Sequence, residues 1–367
     1  MNQQQKQRVV VGMSGGVDSS VAALLLQREG HEVHGLFMFN WGEDEQGYCT
    51  AAEDFKDAKK VCKKLEIPLH TVNFAAEYRK QVFDVFLAGL SMGHTPNPDV
   101  LCNREIKFGN FLMHARRLGA DQVATGHYVR RQDKDGQTRL LRGQDRNKDQ
   151  SYFLHAVPEQ ALRYALFPVG ELEKSTVREL ALQSGLHNSR KRDSTGICFI
   201  GERPFREFLQ QYLDTEPGDM IDVNGIIVGK HIGLPFYTLG QRQGLGIGGV
   251  AGSNSEPWYV AAKDADRNAL VVVQGRDNPL LYANTLFAKE LHWINGQPSM
   301  KEFACQVSTR YRQEPAAAII HPQPDNACRI EFSEAQWAVT PGQYAVIYAG
   351  DHCLGGGVIV SGLSPGP

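Results

Sequence analysis

The stretch GMSGGVDSS, residues 12–20, sets three glycines, three serines and one aspartate where an apolar strand pattern gives way to a helical one. Gly12, Gly15 and Gly16 permit positive φ and let backbone N–H groups converge on an anion. Ser14, Ser19 and Ser20 add hydroxyl donors, and the following helix points its positive end at the same spot. No lysine follows the last glycine, so the loop lacks the cation that a Walker loop aims at the terminal phosphates. Such a cradle suits holding pyrophosphate while chemistry occurs at an α-phosphate: AMP is transferred and pyrophosphate leaves. Asp18 is out of place in an anion site unless it holds a divalent cation, Mg²⁺, against the phosphates. The bland alternative is a tight strand-to-helix turn with a capping Asp or Ser.

An adenylating site needs an acceptor and a nucleophile, which directs attention to the seven cysteines. Cys102 lies in GHTPNPDVLCNREIKF, where Pro96, Pro98, Asn97 and Asp99 mark a turn and Cys102 or Asn103 starts the next helix. A thiol at a helix N-terminus, with Arg104 and Lys107 nearby, has more thiolate. Cys198 lies in SRKRDSTGICFIGERPF, a glycine-flanked, electropositive segment that suits a sulfur carried between partners. The competing reading is a helix-cap position for Cys102 and a buried residue for Cys198. Cys49, also ahead of a helix, ranks third; Cys62 falls on an apolar helix face, and Cys305, Cys328 and Cys353 fall in strand patterns. Asp99 is a candidate acid–base beside Cys102, or else an ordinary turn aspartate.

The elements that must position these groups alternate along the first half. Strands are expected at 8–13, 31–39, 68–74 and 121–128, and helices at 18–29, 53–66, 76–90 and 105–119. That alternation is a doubly wound α/β sheet with ligand beyond the strand ends at Met13–Gly16, Met38–Trp41 and Thr125–His127. Past residue 205 short extended segments separated by glycine-rich turns replace it, and the last stretch reads as barrel strands. Three domains are therefore expected: an α/β catalytic domain over 1–205, a small central domain over 206–280 and a C-terminal β-barrel over 281–367. The formal net charge is −2 and no apolar run is long enough to span a membrane, so no membrane is expected and the cytoplasm is. Any RNA site must be a local basic patch; Arg130, Arg131, Lys148, Arg310 and Arg312 are candidates, with Tyr128 and Tyr152 as stacking surfaces.

SGGxDS matches the signature of the PP-loop ATP pyrophosphatases. Together with GLFMFNW, TPNPDVLCN, ATGHYVRR, NKDQSYFL, DSTGICFIGER, GQRQGLGIGG, RYRQ and TPGQYAVIY, in that order, it resembles the bacterial tRNA-uridine 2-sulfurtransferase (2-thiouridylase) family from about residue 8 to about residue 360. The resemblance implies replacement of the C2 oxygen of the wobble uridine (U34) of tRNAs for Lys, Glu and Gln by sulfur. It implies ATP binding by Gly12, Met13, Ser14, Gly15, Gly16, Val17, Asp18, Ser19, Met38 and Gly126, and contact of Asn97, Pro98 and Asp99 with the target base. Cys198 would carry a persulfide, supplied by an upstream sulfur-relay protein. Cys102 would be the partner nucleophile, either forming a Cys102–Cys198 disulfide or releasing hydrosulfide. His127, Lys148, Asp149, Gln150, Arg310, Tyr311 and Gln343 would touch the tRNA. Two rivals remain at this level. A PP-loop amide-forming ligase explains the loop but not the cysteines, and a non-catalytic, nucleotide-regulated RNA-binding protein leaves Asp18 without a task.

Overall fold

A computed structural model describes residues 6–42, 50–193, 205–248, 256–299 and 301–363. Cys49 and Cys198 lie outside the described residues. The first sheet takes β1 (Arg8–Gly12), β2 (Glu32–Phe39), β3 (Leu69–Asn73) and β4 (Gln122–Ala124). A hairpin of β5 (Val129–Lys134) and β6 (Gln137–Arg142) follows, then the two-residue strand β7 (Ala165–Leu166). The sheet order is β3-β2-β1-β4-β7, every pair parallel. Val9, Val10 and Val11 are fully buried because β1 is covered on both faces, so a continuous apolar run rather than an alternating one encodes it. The connection reverses direction between β1 and β4, and a doubly wound sheet opens its ligand crevice at that point.

Helix α1 (Val17–Arg28) follows β1, and α2 (Thr50–Leu65) lies between β2 and β3. Two further helical runs precede β4: α3 over 75–91 and α4 over 98–117. Both are π-wound in part, over Arg79–Phe83 and Cys102–Asn110, and the Asn110 amide donates to Gln81 Oε1 at 3.0 Å between them. Because α4 feeds a parallel strand it runs back across the sheet, so its first turns lie at the edge where β1 and β2 end. The start of α4 differs from expectation. Asn97 caps it, its Oδ1 accepting from Asp99 N–H at 3.2 Å, and Pro98 fills the first helical position. Cys102 is therefore a full turn inside the helix and fully buried, where the helix-end field has decayed.

The central sheet takes β8 (Gly218–Ile221), β9 (Ile227–His231), β10 (Trp258–Asp264) and β11 (Ala269–Gln274) in the order β10-β11-β8-β9. The last region adds β12 (Tyr282–Trp293), β13 (Phe303–Ser308), β14 (Ala316–Gln323), β15 (Ala327–Trp337), β16 (Tyr344–Ala349) and β17 (His352–Leu363). Pairing of β12 with β17 closes these six into a barrel. The β5–β6 hairpin extends that barrel sheet through β17, with Leu141 opposite His352 and Leu140 opposite Cys353. Arg130 closes the same junction, donating to Asp351 at 2.6 Å and to Arg142 O at 2.7 Å. Among the described residues no helix is long and apolar enough to cross a membrane.

The rest of this junction is buried and polar. Tyr152 donates to Tyr344 O at 3.1 Å, Ser151 Oγ meets the Tyr348 hydroxyl at 3.1 Å, and His155 Nδ1 donates to Tyr152 O at 2.7 Å. Burial pushes the His155 imidazole down to about 4, so it is neutral in the folded protein. Unfolded, it regains a pKa near 6.5. Its contribution is therefore complete above that value and is lost as pH falls from there towards 4. Urea unfolding at pH 7 and pH 5 should differ by about 2 kcal/mol from this residue. A His155→Gln variant should lose that part of the pH dependence; an unchanged dependence would remove His155 from the account.

Candidate functional site

The loop between β1 and α1 is tied into one shape by its own side chains. Ser14 N donates to Ser19 Oγ at 3.2 Å, Gly16 N to Ser14 Oγ at 3.3 Å, and Ser20 Oγ to Gly16 O at 2.8 Å. Gly15 has φ +75°, and a Cβ there would stand 2.4 Å from Asp54 O, so no other residue fits. Gly126, just past β4, lies so close to the start of α1 that a Cβ would be 2.7 Å from Ser19 N. The two ends that flank the crevice thus close on each other through glycines. Asn188 braces the loop from outside, its amide donating to Gly15 O at 3.0 Å and to Ser20 Oγ at 2.9 Å. Ser20 is fully buried by these contacts and holds the loop together rather than facing a ligand.

Asp18 sits in the first turn of α1, and its surroundings answer why a carboxylate is tolerated there. Lys174, at the start of helix α5 (Lys174–Gln183), donates to its two oxygens at 2.7 and 2.9 Å. The Tyr128 hydroxyl donates to Oδ1 at 2.7 Å. Burial raises the Tyr128 phenol's pKa, with the Asp18 charge adding to it, so the group stays a donor. The Lys174 ammonium also lies 2.8 Å from Asp193, which Lys148 at 2.7 Å and Arg178 at 2.8 Å hold as well. Burial alone would raise the Asp193 pKa, but bonds from Lys148 and Lys174 outweigh it and hold the carboxyl at about 2. Lys174 was not anticipated, because nothing local links it to a loop 156 residues away.

A Mg²⁺ at Asp18 would be held with the nucleotide's phosphates rather than by the protein alone. Both Asp18 oxygens carry a hydrogen-bonded cation or hydroxyl, and among the described residues no three His, Cys, Asp or Glu side chains come together to hold a metal. A nucleotide fits better. Met38 ends near the first loop glycine, its Cε 3.8 Å from where a Gly12 Cβ would be. Asn40, two residues on and 1% exposed, has neither carboxamide atom partnered. Such an orphaned amide is costly unless a ligand meets it. Met13 and Val17 are buried beneath the loop and could meet a ligand only through backbone.

Asn97, Pro98 and Asp99 open α4, and the other two domains grip the turn before them. Gln343 Nε2 donates to Thr95 O at 2.7 Å, and Thr95 N to Pro341 O at 2.9 Å. Gly342, φ +89°, packs so tightly that a Cβ would be 2.8 Å from His94 Cβ. Lys263 of β10 donates to Gly93 O at 3.1 Å, and burial pushes its pKa down to about 8.

The other residues expected at tRNA all have partners within the protein, and all but the buried His127 keep part of their surface exposed. Lys148 is on Asp193; Asp149 accepts from Arg142 and Ser151; Gln150 Oε1 accepts from Tyr128 N at 2.9 Å. Arg310 donates to Leu239 O, Ala338 O and Thr340 Oγ1 at 2.6, 2.8 and 2.7 Å, and burial lowers its pKa. His127 is buried against Thr125 Oγ1 at 2.8 Å, and burial takes its pKa well below 6.5, so it carries no charge. Tyr311, half-buried, packs on Phe153 with ring centroids 4.3 Å apart. Tyr128 and Tyr152 are core, which withdraws them as stacking surfaces, and Arg131 is spent on Asp133, Arg163 O and Ala165 O.

Burial raises the thiol of Cys62 to about 11 and those of Cys305 and Cys328 to about 12, and pushes Cys353 up further. Cys62, Cys328 and Cys353 are core residues and Cys305 is partly buried against the barrel core; none has the lowered pKa of a reactive thiol.

A parallel α/β domain with a phosphate-type loop at its switch point, followed by two β domains, defines the class. Residues 7–202 match the model described as tRNA methyl transferase HUP domain, 206–274 the PRC-barrel domain of the same family, and 283–359 an aminomethyltransferase β-barrel domain. The chain is 58% identical over 355 residues to a protein of Chromohalobacter salexigens named tRNA-specific 2-thiouridylase MnmA, covering 96% of this chain and 92% of that one. Proteins of the same name from Psychromonas ingrahamii and Yersinia pestis are 56% and 55% identical, over 96% and 98% of this chain and 96% and 97% of theirs. The chain belongs to the tRNA-specific 2-thiouridylase family.

The crossing of Gly126 and α1 makes a direct prediction. Gly126→Ala must part the β4 end from the Asp18–Ser19 backbone and should cost about 1–3 kcal/mol in urea unfolding. Gly12→Ala, whose Cβ would meet only ordinary contacts at 3.6–3.8 Å, should cost far less. Equal losses from the two would contradict the packing described.

Proposed function

We propose that the protein catalyses the ATP-dependent 2-thiolation of the wobble uridine of tRNAs for Lys, Glu and Gln, in the cytoplasm. The observation that carries this reading is that the glycine loop follows β1 while the helical run bearing Asp99 and Cys102 feeds β4, the parallel neighbour of β1, with Phe111 of that run 3.6 Å from where a Gly12 Cβ would be. The near-full-length relatives named 2-thiouridylase support the choice of reaction.

A uracil C2 carbonyl is a poor electrophile, and its oxygen is a poor leaving group. Attack of that oxygen on the α-phosphorus expels pyrophosphate and leaves the oxygen as part of AMP. The glycine loop holds the departing pyrophosphate with backbone donors fixed before the reaction. The outer sulfur of a Cys198 persulfide, loaded by a sulfur-relay protein, then attacks C2 and AMP departs with the oxygen. Cys102 thiolate can attack the Cys198 sulfur of the resulting base–S–S–Cys198 linkage. Both electrons of the S–S bond stay with the base sulfur, and a Cys102–Cys198 disulfide remains for an external thiol to reduce. In the other route Cys102 releases hydrosulfide from the persulfide before attack. Asp99, half-buried at the head of α4, serves as the acid–base group at the uracil edge, with Asn97 and Pro98 setting its position. The base must leave the anticodon stack to reach them.

The domain description speaks instead of tRNA methyl transfer. A loop that suits pyrophosphate, next to a cysteine-bearing helix, favours thiolation over methylation. Unmodified tRNA incubated with ATP, Mg²⁺ and a persulfide donor should yield tRNA retarded on a mercury-containing gel. Cys198→Ser and Cys102→Ser should each lower physiological sulfur transfer at least 100-fold. A fully active Cys198→Ser protein would exclude the persulfide role, and a methylated, unretarded product would favour the other description.

A further inference from the structure

We propose that the outward face of α2, with Lys56, Lys59, Lys60 and Lys63, and the neighbouring Arg190 and Arg192 form a surface that holds the phosphate backbone of the tRNA beside the glycine loop. This rests on the reading of tRNA as the substrate.

The chain as a whole carries 39 Lys and Arg against 41 Asp and Glu, so a patch of one sign is a local surplus. Lys56, Lys59, Lys60 and Lys63 stand at i, i+3, i+4 and i+7, all exposed, on the side of α2 turned away from the buried Ala58, Val61 and Leu65. The acids that could neutralise them are turned elsewhere. Asp54 and Asp57 accept from Lys191 at 2.8 and 2.7 Å, and His187 lies 2.9 Å from Asp57. Lys60 keeps only a 3.9 Å approach to Asp57, with its side chain 65% exposed, and a pair of that kind contributes little against solvent. Glu53 is the one exposed acid of the helix. Among the described residues Lys56, Lys59 and Lys63 make no ion pair.

Lys191 also fixes where this surface lies. By bonding both aspartates it pins the segment of the exposed Arg190 and Arg192 against α2, and neither arginine makes an ion pair among the described residues. Asp54 O, near the head of the helix, is the atom that a Gly15 Cβ would strike. The lysines therefore begin within a turn of the glycine loop and run about 10 Å along the flank of the domain. The cations that local sequence points to RNA, Arg130, Arg131, Lys148 and Arg310, are bound to acceptors within the protein. The α2 lysines and the two arginines are free of such ties. Phosphate contacts of this sort place a nucleic acid without reading its sequence.

Binding of fluorescently labelled, unmodified tRNA to the full chain over a salt series tests this. Lys56→Gln, Lys60→Gln and Lys63→Gln together should weaken binding at least tenfold at ~0.1 M salt and flatten the slope of log K against log salt by about 2. Arg190→Gln with Arg192→Gln should flatten it by about 1. In turnover with a small-molecule persulfide, the triple variant should raise KM for tRNA and leave kcat and the KM for ATP unchanged, the split of a surface that binds substrate away from the reacting atoms. Removing as many charges at Lys134, Lys230 and Lys301, exposed on other elements, should leave affinity within twofold of the wild type. Triple-variant binding within twofold of the wild type with an unchanged slope would overturn the proposal, as would an equal loss in the control. So would normal tRNA binding with turnover lost only when sulfur arrives on a protein donor, which would assign the surface to that donor. A weakened triple variant beside a wild type that forms no 2-thiouridine would refute the reaction and keep the surface. A wild type that binds no tRNA would overturn both.

Discussion

A carboxylate inside an anion-binding loop is the constraint around which this site is built. Asp18 opposes the charge the loop exists to attract, and the Lys174 ammonium at 2.7 and 2.9 Å removes that opposition. Holding one lysine in place then recruits a large part of the chain between β6 and α5. Asp145 fixes its backbone, Asp193 takes its third donor, and Lys148 and Arg178 compensate Asp193. Among these ion pairs Lys174 is the one deeply buried member; the charged groups around it are about a third exposed, so solvent screens the loss of any one of those. Cys198 follows Asp193 by five residues in the chain.

The other two domains act on the second half of the site. Neither contributes a strand to the first sheet, yet both end on the turn before Asn97, through Lys263 on Gly93 O and Gln343 on Thr95 O. A turn of six residues between α3 and α4 would otherwise have little to hold it, since loops carry few buried contacts. The β5–β6 hairpin explains why the barrel can serve as a fixed support. It belongs to the α/β domain by sequence position and to the barrel by hydrogen bonding, and buried polar groups around His155 and Tyr152 complete the weld.

What could be read in advance follows from the range of each interaction. β1, the glycine loop and α1 were legible because strand periodicity, turn residues and capping are local. Their limits shifted by only one residue, to Arg8–Gly12 and Val17–Arg28. The start of α4 was misplaced although its signal is present: Asn97-Pro98 is a cap followed by a proline at the first helical position, yet the density of turn formers there reads equally as a loop. The π-winding over Cys102–Asn110 has no sequence signature, and the buried Cys102 stands at its start. Lys174 and Asn188 reach the loop across more than 150 residues, with Asp193 behind Lys174, and could only be found once the fold had brought them there.

The tRNA-facing assignments show the same limit from the other side. Basic and aromatic residues near conspicuous motifs read as RNA contacts, but a long side chain near a domain junction has nearby carbonyls to satisfy. Arg310 is the sharpest case: a single nitrogen of its guanidinium spans Leu239 O, Ala338 O and Thr340 Oγ1, joining the segment before β10 to the end of β15. Pulling it out to a phosphate would strand those acceptors, at about 1–3 kcal/mol for each one left buried and unpaired. A phosphate contact made in the open at high ionic strength returns less than that. The balance favours Arg310 and Gln343 as residues that hold the barrel in register with its neighbouring segments. Arg312, by contrast, is exposed, with φ +65° just past the Tyr311 stack, and has no carbonyl set of that kind to satisfy among the bonds of the described residues.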